Sequence, residues 1–175
     1  PVYDEFVDAF ADVARQLKVG DGSDPSTTMG PLVSERRIKV MEELVEDAVK
    51  AGATIVTGGR RASNTGYFFE PTILADVPLT ARVMSEEPFG PLALMVKVDG
   101  IDAAITEANR LQYGLASYAF TKSAESATRL AQSLRAGMVS INHQGLSLPE
   151  VPFGGINDSG QGTEGGADAL EPYLN

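Results

Sequence analysis

Apolar residues recur at three- and four-residue steps at Val2, Phe6, Phe10, Val13 and Leu17, the spacing of one helix face. Asp4 and Glu5 stand near the start, Lys18 near the end and Gly20 just beyond, so the pattern predicts a helix over about 2–18. From Val19 to Val33 the chain is rich in Gly, Ser, Asp, Thr and Pro and reads as a connecting loop. Ser34 can cap a second helix striped by Ile38, Met41, Val45, Ala48 and Val49, with Gly52 as its stop.

The period then shortens. Ala53–Thr57 is β-branched and Tyr67–Leu74 aromatic and β-branched, which predicts two strands joined by a Gly- and Asn-containing loop. From Leu92 to Val98 a strand is expected, then a helix carrying Ile101, Ala104, Ile105, Ala108 and Leu111 that stops at Gly114. A strand over Ala116–Phe120 follows, with a helix striped by Ala127, Leu130, Ala131 and Leu134, Gly137 as its end, and a strand over Met138–Ile141. Strand, helix, strand, helix, strand implies parallel pairing through right-handed crossovers. The expected fold class is α/β, a mostly parallel sheet with helices on both faces. In such sheets ligands bind beyond the carboxyl ends of the strands, which directs attention to Asn142–Phe153. Gly154–Gly166 holds six glycines in thirteen residues, a density that suits close backbone approach better than regular structure.

Composition narrows the chemistry. With 175 residues and 43% apolar content, one soluble domain with its own core is the default. No stretch approaches the roughly 20 apolar residues of a membrane helix, and no signal-peptide order opens the chain, so a cytoplasmic location without membrane contact is expected. A net charge of -10 argues against a nucleic-acid partner. The absence of cysteine removes disulfides, thiolate metal sites and thiol catalysis by this chain.

Most local signals read as ordinary structure. Gly160, Gly162 and Gly165 have G-x-G-x-x-G spacing, but no strand leads into them and too few residues follow for an acidic ribose ligand. His143 is the single histidine, so no zinc site is expected, and no G-x-S-x-G elbow exposes a serine nucleophile. Asp21 and Asp24 lack the ligand spacing of a calcium loop. Glu86 and Glu87, before Pro88-Phe89-Gly90-Pro91, could by themselves be a charged surface turn.

Two segments point further: Glu86-Glu87-Pro88-Phe89-Gly90-Pro91, and Pro152-Phe153-Gly154-Gly155 running on to Ser159-Gly160, Gly162 and Glu164. They resemble the E-E-x-F-G-P and P-F-G-G-x-K-x-S-G-x-G-x-E signatures of the aldehyde dehydrogenase superfamily. Gly114-Leu115-Ala116, Phe120-Thr121 and Gly137–Asn142 resemble it in the same order, and the similarity runs from Tyr3-Asp4-Glu5-Phe6 and Gly30-Pro31 to Tyr173. The resemblance implies an aldehyde dehydrogenase catalytic-domain-like fold, incomplete here, and a cofactor, NAD or NADP, bound by the intact enzyme. It implies that Glu87 hydrogen-bonds the nicotinamide ribose, a task that suits a carboxylate accepting from two hydroxyls. It places Phe89 beside the nicotinamide, Phe153 at the substrate entrance, and Asn142, His143 and Ser147 along the same wall. Ser147 stands where the succinate-semialdehyde branch has a serine that binds the substrate's far carboxylate.

The resemblance further implies an activity. A cysteine thiolate attacks a small aldehyde, hydride passes to the nicotinamide, and water releases the acid from a thioester. In the family that cysteine, the glutamate that activates water and the Rossmann domain precede the region matched by this chain, so residues 1–175 are expected to be a C-terminal portion that is inactive alone. A homo-dimer or tetramer is expected of the intact enzyme. The lysine usual in the glycine-rich signature is Asn157 here, which leaves no charge at that spot. A non-catalytic binding or assembly module derived from a dehydrogenase half is the alternative.

Overall fold

The computed structural model describes residues 2–174. They fall into two compact units, Pro1–Lys97 and Val98–Asn175.

The first unit opens with α1 (Tyr3–Arg15), shorter than the 2–18 expected from periodicity. Its orientation also corrects that reading. Val7, Ala11 and Ala14 are buried, whereas Val2, Phe6, Phe10, Val13 and Leu17 are exposed. The helix has two apolar faces, and the face of small residues approaches the sheet, since Ala side chains let a helix axis come close to a strand surface. A loop follows, held by the Val19–Met29 bridge, and Ser34 caps α2 (Glu35–Ala51) by accepting from the Arg37 N–H. Gly52 ends α2 at φ 116°, a conformation that costs glycine little.

Strands β1 (Thr54–Thr57) and β2 (Thr72–Ala75) are antiparallel, and β3 (Leu92–Leu94) lies parallel to β2 on its other edge. The second strand is much shorter than the Tyr67–Leu74 run that its composition predicts. All four residues of β2 are buried, because both faces of this sheet are covered. Leu74, Leu92 and Leu94 pack with Ile38, Met41, Leu44 and Val45 of α2. Ile73 and Ala93 pack with Ala11 and Ala14 of α1. Alternate residues thus meet opposite helices, as strand geometry requires.

The second unit holds α3 (Gly100–Ala108), β4 (Tyr113–Gly114), β5 (Ala116–Ala119), α4 (Ala124–Ser133), β6 (Met138–Ile141) and β7 (Ile156–Asn157). The expected crossover is present: β5 and β6 pair in parallel through α4, in register from Ala116–Met138 to Ala119–Ile141. The expected continuity with the preceding strand is not, because β3 takes β2 as its partner. Antiparallel β4 and β7 form a separate two-stranded piece. Two of the strand pairs are parallel and two antiparallel, within an α/β fold. The glycine-rich stretch contributes only β7 and a bridge between Phe153 and Glu164. Gly137 explains the need for small residues there, since any Cβ on it would collide with the Gly154 carbonyl. Among the described residues no helix is long and apolar enough to cross a membrane.

Candidate functional site

Each unit carries one cluster of the residues singled out above. In the first, the chain leaves a short 3-10 turn (Arg82–Met84) and runs through Ser85 to Gly90 before entering β3. The two carboxylates of this segment are not equivalent. Glu86 receives two bonds from the Arg82 guanidinium, at 2.9 and 3.0 Å, and these bonds hold its carboxyl below the usual glutamate range. Glu87 is exposed and has no hydrogen-bond or ion-pair partner among the described residues. One residue therefore fastens the turn, and its neighbour is left with all its acceptor capacity.

Phe89 is 64% exposed, an unusual state for a phenylalanine. Its ring is met by the Arg37 guanidinium, 5.4 Å from the centroid, within cation–π range. Gly90 allows this arrangement, because a side chain there would run into the Met41 sulfur on α2. Phe89, Gly90 and Arg37, with Pro31, Leu32 and Val33, line an open groove of about 520 Å³, within the size range of small-molecule sites. Glu87 is not among the residues that line it. Sequence reasoning named Phe89 and missed Arg37. Its only signal was a position in the first turn after the Ser34 cap, which does not tell which way a long side chain will fold.

In the second unit the strand-end prediction can be followed residue by residue. Asn142 leaves β6 at φ 58°, a left-handed conformation that asparagine tolerates better than most residues. Its side chain ties the ends of the two parallel strands together: Oδ1 accepts from the Thr121 N–H at 2.8 Å and Nδ2 donates to the Thr121 carbonyl at 2.9 Å. His143 Nδ1 lies 2.9 Å from the Gly145 N–H and 3.1 Å from the Gly145 carbonyl, so the imidazole is tied to the Gly145 backbone through this nitrogen. The Ser140 hydroxyl donates to the His143 carbonyl at 2.7 Å, fixing the backbone at this corner. Ser147 is exposed, with no hydrogen-bond partner among the described residues.

Phe153 is half-buried. It lines a hollow of about 280 Å³ with Leu115, Ser159, Thr163, Glu164 and the glycines of the 154–162 segment. Its backbone exchanges two short bonds with Glu164, at 2.6 and 2.7 Å. Asn157, in the place of the expected lysine, lies at φ 54° opposite Tyr113.

An exposed carboxylate and an exposed ring two positions apart suit a ligand with vicinal hydroxyls and a flat heterocycle. The corner after β6 presents the exposed Ser147 hydroxyl and His143 imidazole. The aldehyde dehydrogenase family model matches residues 1–175. The chain is 46% identical over 173 residues to 4-(hydroxymethyl)benzenesulfonate dehydrogenase TsaD1 of Comamonas testosteroni, covering 99% of this chain and 36% of that protein. It is 42% identical over 174 residues to the mitochondrial succinate-semialdehyde dehydrogenase of Homo sapiens, covering 99% and 32%. The solved succinate-semialdehyde dehydrogenase of Burkholderia pseudomallei superposes with a TM-score of 0.95 at 38% identity, over 98% of this chain and 36% of that one. The chain thus spans about a third of the length of the relatives it matches.

Proposed function

This chain belongs to the aldehyde dehydrogenase family, and from that premise we propose that it supplies the nicotinamide-facing and substrate-facing C-terminal part of an enzyme that oxidises an aldehyde to a carboxylic acid. The family's members are NAD(P)-dependent oxidoreductases. The nucleophilic cysteine and the glutamate that activates water come from polypeptide outside this chain, which has no cysteine. The intact enzyme is a cytoplasmic homo-dimer or tetramer.

Within this scheme Glu87 accepts from the hydroxyls of the nicotinamide ribose, and Phe89 lies against the nicotinamide, limiting its freedom and keeping water from the reacting face. When bound, NAD(P)+ supplies the hydride acceptor. Ser147 donates to an anionic group at the far end of the substrate, with the His143 imidazole beside it, and Asn142 holds the corner that carries them. Phe153 lines the entrance. The names of two relatives favour an anionic substrate, since one is a succinate-semialdehyde dehydrogenase and the other is named for a benzenesulfonate. Succinate semialdehyde is the substrate to try first.

The observation that carries this reading is the division of labour between Glu86, occupied by Arg82, and Glu87, left free. Substituting each with glutamine in an enzyme of the relatives' full length that contains this chain tests it. Glu87→Gln should lower kcat/KM about tenfold, the effect of weakening one charge-assisted hydrogen bond, whereas Glu86→Gln should change it less than about twofold, as exposed ion pairs contribute little. Equal effects, or a larger one at Glu86, would overturn the assignment.

A further inference from the structure

We propose that Arg37 is a positioning residue that acts through Phe89, holding the ring in the plane that the nicotinamide packs against; this rests on the cofactor reading of Phe89 given above. The surrounding backbone is already fixed. The Leu32 N–H is bound to the Tyr67 carbonyl at 2.8 Å, which sets the apolar wall of Pro31, Leu32 and Val33. The Arg37 N–H is held in the Ser34 cap, and Gly90 brings the Phe89 turn against Met41. What remains free is the rotation of an exposed ring and the course of a long cationic side chain, and each limits the other by stacking at 5.4 Å.

The state of the guanidinium supports the same conclusion. In a chain of net charge -10, Arg15, Arg60, Arg61, Arg82, Arg110 and Arg129 all make carboxylate ion pairs. Arg36, Arg37 and Arg135 make none among the described residues, and of these three only Arg37 is placed over an aromatic ring, its one recorded side-chain interaction being with Phe89. An arginine withheld from the available carboxylates and placed over an aromatic face is arranged to orient that face, and a planar guanidinium does so better than an ammonium.

The test measures binding rather than turnover. In the enzyme of full family length, Arg37→Met keeps much of the apolar stem and removes the charge. It should weaken NAD(P)H binding about fivefold by fluorescence titration, the scale of a partly exposed cation–π contact. Binding of ADP-ribose, or of its 2′-phosphate for an NADP enzyme, should stay within about twofold by calorimetry, because these ligands lack the nicotinamide. Arg37→Lys should recover part of the loss, and Arg37→Met should add nothing in a Phe89→Leu background. Equal weakening of both ligands would mean that the cation meets phosphate directly, and would overturn the proposal, as would no change in either or an undiminished effect without Phe89. If Phe89→Leu alone leaves NAD(P)H binding unchanged, the cofactor reading of Phe89 fails and the proposal fails with it; if Phe89→Leu weakens binding and Arg37→Met does not, only the role of Arg37 is lost.

Discussion

The two units are built on different physical terms. Among the described residues every buried apolar side chain except Met138 lies in the first unit. There a three-stranded sheet is covered by α1 and α2, and its core contains Phe69, Ile38, Met41, Leu44 and Leu74. The second unit buries no side chain of α3 or α4. It is held mainly by strand pairing, by the Asn142 clamp on Thr121 and by backbone bonds through its glycine-rich segment. Packing makes the first unit a rigid support for Glu87 and Phe89, since dense cores transmit displacement rather than absorb it. In this chain by itself, hydrogen bonds without a core make the second unit the place where local opening should be easiest.

The largest effect that can break this contrast is a cavity in the first core. Phe69→Ala, at a side chain 1% exposed, should cost about 4 kcal/mol in equilibrium unfolding. Met138→Ala, at the most buried apolar side chain of the second unit, should cost about 2 kcal/mol, the low end for such truncations. Hydrogen exchange resolved by residue should show protection lost throughout residues 2–97 in the first case and only within 98–174 in the second. If Met138→Ala proves the costlier, the contrast is wrong.

A smaller effect comes from the ion pairs on α2. Arg61 donates to Glu35 at 2.6 Å and to Glu42 at 2.8 Å, joining the helix to the loop after β1. Hydrogen bonding from Arg61 holds the Glu35 carboxyl below the usual glutamate range. A depressed carboxyl stabilises the fold at pH values above its unfolded titration, and that contribution is lost as pH falls through the folded one. The Tm advantage of the wild type over Arg61→Met should therefore be present at neutral pH and disappear as the solution is acidified below the ordinary glutamate range. An advantage independent of pH would assign the role of Arg61 to packing of its stem. The pair is exposed enough for the effect to be modest.

How far the sequence could be read follows the same division. The Ser34 cap, the stripe of α2 apart from Val49, which is exposed, and the Gly52 stop were legible because a cap, a 3.6-residue period and a terminal glycine all agree there. The stripe of α1 misled. Large apolar residues dominate any periodicity reading, and the face that packs is made of Val7, Ala11 and Ala14. The pairing of β3 with β2 was hidden because order along the chain does not say which edge a strand will occupy. At the candidate site the motif identified Glu87 and Phe89. It could not show that Arg82 engages the neighbouring carboxylate or that Arg37 lies over the ring, since both depend on contacts between separate segments.

The most direct measurement of the central claim is a crystal structure of the full-length enzyme with NAD(P)+ bound. The account predicts the Glu87 carboxylate oxygens within about 3.2 Å of the two nicotinamide-ribose hydroxyls, the ordinary hydrogen-bond limit, with the Phe89 ring against the nicotinamide and Glu86 still on Arg82. A cofactor whose ribose is held by other groups, with Glu87 turned to solvent, would contradict it.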